Sequence, residues 1–149
     1  MFSFGKAPAK PLRLMAHEAD DVTAMAALIQ DAALRGGDMA YDAEGKHFTL
    51  RMNRFCHETD AGVPLRAPSV LRISCVQKVQ TRGLDLNQSS QPLSLLDIEA
   101  TPLEAPAYAL TLRFAGQGVR DVRLEVECID VLLLDLAAPR RAKSVPRHG

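Results

Sequence analysis

From Tyr108 to Val126 the chain alternates apolar and polar residues in two runs, one on each side of Ala115-Gly116-Gln117-Gly118. In the first run Tyr108, Leu110, Leu112 and Phe114 are separated by Ala109, Thr111 and Arg113. In the second, Val122, Leu124 and Val126 are separated by Arg123 and Glu125. A period of two sends one set to a buried face and the other to solvent, and a short glycine-bearing connection between two such runs reads as an antiparallel hairpin. Any fold open to this chain has to cover one face of that hairpin. Ile129, Leu132, Leu133 and Leu136 then recur at helical spacing, which predicts a short C-terminal helix folded back on the same core.

Upstream, Val22, Met25, Ala26, Ile29, Ala32 and Ala33 follow i, i+3, i+4, i+7 and predict one long amphipathic helix. His17 or Asp20 is placed to cap it, Asp20 and Asp21 suit the positive end of its dipole, and Gly36-Gly37 supplies a stop. Leu12 to Met15 reads as a short strand. Met39 to Asp42, the turn Ala43 to Lys46, and Phe48, Leu50 and Met52 in alternation with Thr49, Arg51 and Asn53 read as a second hairpin. Cys56 to Pro68 reads as a loop. Leu71, Ile73 and Cys75 alternate, with a change of phase near Val76 and Val79 that predicts a bulge. Leu93 to Ala100 reads as a strand with Leu96, Ile98 and Ala100 on one face.

These elements predict an α+β fold: a bent antiparallel sheet or partly closed barrel of six to seven strands, one long N-terminal helix and a short C-terminal helix. The strands follow one another without helical crossovers, which is why the sheet is expected to be antiparallel. A pleckstrin-homology-like barrel is one such arrangement, as a fold analogy that brings no ligand with it. Residues 1–11 are expected to be a flexible lead-in, residues 12–139 a single globular domain and residues 140–149 a disordered basic tail. A chain of 149 residues buries roughly 68–70% of its unfolded surface, enough for a core without metal or disulfide staples.

Net charge is zero, so no global field draws the chain to nucleic acid or to an anionic membrane. Three cysteines, Cys56, Cys75 and Cys128, are widely spaced and form no C-x-x-C pair, which fits a reducing, cytoplasmic setting. No apolar run is long enough to span a bilayer. Cys56-His57-Glu58 with Asp60 is the one tight cluster of reactive residue types, but adjacent residues on extended chain point to opposite sides, so a solvated loop is the weightier reading. Gly116-Gln117-Gly118 lies between two strands with no helix start to hold a phosphate, so it reads as a turn. Cys75 and Cys128 read as small core residues. No hydrolase triad, Walker loop or zinc-ligand spacing is present, and His17, His47, His57 and His148 are scattered. No cofactor and no metal is expected.

With these residues in view the chain resembles an uncharacterised alphaproteobacterial family, the domain of unknown function numbered twenty-nine forty-eight. The segments that carry the resemblance are Leu12–Ala16, Ala19–Asp21, Leu28–Ala32, Gly37–Tyr41, Leu50–Phe55, Val76–Gly83, Leu93–Leu96, Phe114–Gly116, Leu124–Ile129 and Asp135–Leu136. They lie in order across Leu12 to Pro139. The resemblance implies a bacterial cytoplasmic protein and brings no activity, cofactor or catalytic residue.

Four arginines, Arg51, Arg72, Arg113 and Arg123, fall on the solvent side of different strands. On adjacent strands they would form a stripe facing phosphates or carboxylates. Gln30, Asp31, Asn53, Arg54 and Arg82 lie within the resembling segments, and they are the polar candidates for a site drawn together from distant strands. The functional expectation is a non-enzymatic module that binds a protein partner or a small ligand, with a homodimer compatible through a free strand edge. The runner-up is an enzyme built on the converging polar set. Nucleic-acid binding through the arginine-bearing face ranks third, because the aromatic platforms such binders use are scarce.

Overall fold

The computed structural model describes residues 10–56, 65–87 and 90–141. The strands in chain order are β1 (Arg13–Ala16), β2 (Ala33–Arg35), β3 (Met39–Asp42), β4 (His47–Phe55), β5 (Leu65–Ile73), β6 (Val76–Arg82), β7 (Pro92–Pro102), β8 (Tyr108–Phe114), β9 (Asp121–Val126), β10 (Val131–Asp135) and β11 (Arg140–Arg141), with helix α1 (Ala19–Ile29) between β1 and β2. They form one antiparallel sheet of 11 strands in the order β1-β10-β5-β4-β2-β7-β8-β9-β6, with β3 beside β4 and β11 beside β5. Its ends are β1 and β6, so the sheet is open and no barrel closes among the described residues.

The bend expected in the sheet comes from two long strands that each turn a corner. β5 passes into β6 at Ser74-Cys75, where Cys75 adopts a left-handed φ of 60°, and β9 passes into β10 at Glu127–Asp130. The corners are tied across the ladder by Ser74 N–H to Asp130 O at 2.9 Å and Glu127 N–H to Cys75 O at 3.0 Å. The expected change of phase is present, as a register shift between Val76 and Lys78. β2 bridges β4 and β7 on the far side. The two halves enclose one core, in which Phe48, Leu50, Leu71, Ile73, Leu110, Leu112, Leu124 and Leu133 are all fully buried.

Helix α1 lies against β7, with smaller contacts to β1 and β4. It buries Val22, Met25, Ala26 and Ile29, each large side chain worth roughly 1.5–3 kcal/mol of transfer free energy. It is shorter than the stripe through Ala33 implies. Gln30 stands at its C-cap, Asp31 takes φ 69°, and its N–H is captured by Leu95 O at 2.8 Å, so Ala33–Arg35 pairs in the sheet and Gly36-Gly37 becomes part of a 3-10 turn. At the other end Glu18 is the N-cap rather than His17 or Asp20, and His17 N–H donates to Asp21 Oδ2 at 3.2 Å.

The predicted C-terminal helix is a strand. Val131, Leu133 and Asp135 point inward while Leu132 and Leu134 are half-buried on the other face, a period of two within an apolar run that fits either element by composition. β10 is held on both edges, by β1 and β5, and those ladders decide the matter. The strand predicted from Leu93 runs from Pro92 to Pro102 with its register shifted between Leu95 and Asp97, so Leu95 and Ile98 face inward and Leu96 is 40% exposed. The loop predicted from Cys56 to Pro68 ends sooner, because β5 begins at Leu65. The basic tail expected from residue 140 begins with β11, whose Arg140 and Arg141 pair with Arg66 and Leu65; residues 142–149 lie outside the described residues. No helix among the described residues is long and apolar enough to cross a membrane.

Candidate functional site

The inward face of β4 carries Phe48, Leu50, Met52 and then Arg54, in strict alternation. Arg54 is therefore placed in the core by the same period that places the three apolar residues. The residue it needs is supplied two strands away. Ser69 on β5 is the register partner of both Met52 and Asp135, so Arg54, two residues beyond Met52, reaches diagonally over β5 to Asp135. Nε and Nη2 of Arg54 donate to Oδ1 and Oδ2 of Asp135 at 3.0 and 2.8 Å, and neither side chain is exposed. The Ser69 hydroxyl donates to Asp135 Oδ1 at 2.6 Å and the Leu12 amide to Oδ2 at 2.8 Å. Burial opposes ionisation of Asp135, but Arg54, Ser69 and Leu12 outweigh it and hold the carboxyl below its ordinary value.

Near the same end of β4 and β5, Arg66 stacks over Phe55 at 5.5 Å and donates to Asn53 O at 2.9 Å. Burial lowers the pKa of its guanidinium; the Asp31 carboxylate and the Cys56 thiol partly offset that effect. Asp31 and Cys56 are themselves buried. His57, Glu58 and Asp60 lie outside the described residues.

The outer face of the β1–β10–β5–β4 half has a different character. Register places Met15 beside Leu132, Arg13 beside Leu134, Leu132 beside Arg72, Leu134 beside Val70, and Val70 beside Arg51. Met15, Leu132, Leu134, Val70 and Leu136 thus form an apolar strip, with Met15 54% and Leu136 51% exposed. Arg13, Arg51 and Arg72 border it. Among the described residues no carboxylate makes an ion pair with any of the three; Arg72 meets His47 Nδ1 at 3.2 Å. At one end of the strip Arg51, Asn53, Pro68 and Leu136 line a shallow cleft of ≈ 210 Å³ together with Asp38, whose carboxylate accepts from the Arg35 amide at 2.8 Å.

On the other half of the sheet three arginines are paired with carboxylates. Arg113 donates to Asp97 at 2.9 and 3.0 Å and lies 3.5 Å from Glu99; the Asp97 bond is the main reason its pKa is raised. Arg123 is bonded to Gln80 and Glu125. Arg82 forms a two-pronged pair with Asp121 at 3.1 and 2.6 Å, and that bond raises its pKa. Gln30 and Arg113 both line an open groove of ≈ 620 Å³ between α1 and β7, whose Asp97 and Glu99 are already engaged by Arg113. The arginines do not make one stripe: Arg51 and Arg72 are diagonal neighbours on β4 and β5, Arg113 and Arg123 on β8 and β9, and β2 and β7 stand between the two pairs. The sequence candidates therefore divide into a buried set (Arg54, Asp31), a cleft set (Arg51, Asn53, with Arg72 on the same face), a paired set (Arg82, Arg113, Arg123) and Gln30, which stands apart on the rim of the α1–β7 groove.

No curated protein and no solved structure matches the chain. The match is to a family model described as protein of unknown function, DUF2948, across residues 12–148, from the lead into β1 to beyond β11. That span takes in both halves of the sheet, the buried Arg54–Asp135 pair and the arginine-bordered strip, and the chain belongs to the DUF2948 family.

Proposed function

We propose that the protein is a non-enzymatic interaction module that binds an acidic, amphipathic segment of a protein partner on the outer face of β1, β10, β5 and β4. One observation carries the reading: an exposed apolar strip is bordered by Arg13, Arg51 and Arg72, none of which meets a carboxylate among the described residues, whereas Arg82, Arg113 and Arg123 on the other half of the sheet are each paired with one. Charged groups at an interface rim set specificity and encounter rate, while the apolar centre supplies affinity. The cleft of ≈ 210 Å³ is smaller than the ~300–1,000 Å³ of small-molecule sites, which favours an extended partner over an enclosed ligand. The groove beside β7 is large enough, but its charges are already satisfied internally. The same arginines suit a nucleic-acid backbone, yet Phe55 is the one aromatic on this face among the described residues, and an apolar strip serves a protein better.

The test is native mass spectrometry of the chain purified gently from its own cells, beside two charge-reversed variants. Arg51→Glu with Arg72→Glu is expected to lose a stoichiometric protein partner, and Arg113→Glu with Arg123→Glu to keep it. A chain that carries only a small molecule or nucleic acid, or a partner indifferent to Arg51 and Arg72, overturns the reading.

A further inference from the structure

Two of the three thiols are brought together by the bend in the sheet. Cys75 lies at the β5–β6 corner and Cys128 at the β9–β10 corner, 53 positions apart in the chain, and their sulfurs are 3.8 Å apart. Both are half-buried and reduced. The left-handed φ of Cys75 and the backbone bonds Ser74 N–H to Asp130 O and Glu127 N–H to Cys75 O hold the two corners in place. Cys56 is apart from them, 3% exposed, with its sulfur 4.0 Å from Arg54 O.

We infer that Cys75 and Cys128 form a redox-modifiable dithiol, a site that exchanges with small-molecule disulfides of the glutathione type and closes into an intramolecular disulfide across the two corners. One thiol, as its thiolate, attacks a sulfur of the oxidant. The oxidant's S–S bond breaks, one thiol leaves, and a mixed disulfide remains. The second protein thiolate attacks the protein sulfur of that mixed disulfide and expels the second small thiol. Two protein thiols lose two electrons and two protons, and one small disulfide becomes two thiols. Closure needs the sulfurs to move from 3.8 Å to a bond of about 2.05 Å. Burial, then the neighbouring Cys128 thiol and the Asp130 and Glu127 carboxylates, raise the pKa of Cys75, so at neutral pH Cys75 rests as the thiol. The site joins the two corners, so oxidation staples the β5–β6 corner to the β9–β10 corner.

The full chain is incubated with excess oxidised glutathione and read by intact mass and peptide mapping. The expected product has lost two hydrogens, carries no glutathione, links the Cys75 and Cys128 peptides, and reverts with dithiothreitol. Cys128→Ser is expected to stop at a single glutathione adduct on Cys75. Cys75→Asn, a residue that tolerates the left-handed backbone, is expected to stop at a single adduct on Cys128, and it serves as the control should Cys128→Ser fail to fold. A wild-type chain that accumulates adducts without closing the bond, or that stays reduced under excess oxidant, overturns the inference.

Discussion

Arg54 and Asp135 face each other through two parallel hydrogen bonds of 3.0 and 2.8 Å in a place that water does not reach. Removing one member of such a pair strands the other charge, at about 3–5 kcal/mol, whereas replacing both with apolar groups of similar size costs far less. Asp135→Leu alone is therefore expected to lower stability by roughly that amount. Adding Arg54→Met should recover part of it. The residual cost includes the orphaned Leu12 amide, about 1–3 kcal/mol, while Ser69 keeps Ala67 O at 3.1 Å as an acceptor. Urea unfolding of the two single variants and the double variant measures this directly. A double variant less stable than Asp135→Leu would mean that the pair is not the dominant interaction there.

The same carboxyl dictates a pH dependence. Its folded pKa is lowered, so the stability it contributes is present above the unfolded value of about 3.9 and is lost as pH falls through the folded value. The stability gap between wild type and Asp135→Asn is expected to be flat from about pH 7 to pH 5 and to narrow below about pH 4. Denaturant midpoints taken across that range test it, and a gap that widens on acidification would reverse the sign.

How far the sequence was legible depends on whether a pattern admitted two periods. The Tyr108–Val126 and Met39–Met52 hairpins alternate without ambiguity, and both formed as read. Arg54 carried its own signal, since it continues the inward phase of Leu50 and Met52, but an arginine in that phase is easily set aside as surface. Asp135 had no such signal until Val131 to Asp135 was known to be a strand. Leu132 to Leu134 satisfies helical and strand spacing alike, and the ladders with β1 and β5 that decide it are long-range. The end of α1 was hidden because Ala32 and Ala33 prolong the helical stripe past Asp31. Neither the contact of Cys75 with Cys128 nor the apolar strip could be read without the strand order.

The two readings of β10 make different demands on its leucines. Helical spacing puts Leu136 in the core with Leu133; the strand leaves Leu133 fully buried and Leu136 51% exposed. Leu133→Ala is expected to cost about 2–5 kcal/mol, and Leu136→Ser to stay within about 0.5 kcal/mol of wild type. Thermal melts of the two variants separate the cases. A large loss for Leu136→Ser would restore the helix.

Two glycines at the end of the sheet show how a shared backbone conformation leads to unequal tolerance. Gly83, just after β6, has φ +66°, and Gly118, before β9, has φ +73°. Alanine in the left-handed region costs about 1–2 kcal/mol at either position. At Gly118 nothing lies within 4 Å of the added Cβ, so that cost is the whole effect. At Gly83 the Cβ would stand 1.9 Å from the carbonyl oxygen of Val119, a backbone atom that cannot swing aside as a side chain does. Relief requires the segment leading into β9 to shift, and with it the Arg82–Asp121 pair that spans the two strands. Gly83→Ala is thus expected to be clearly more destabilising than Gly118→Ala, and Gly118→Asn to lie close to wild type because asparagine accepts the left-handed region. Equal losses for the two alanine variants would show that the approach of Val119 to Gly83 relaxes at no cost.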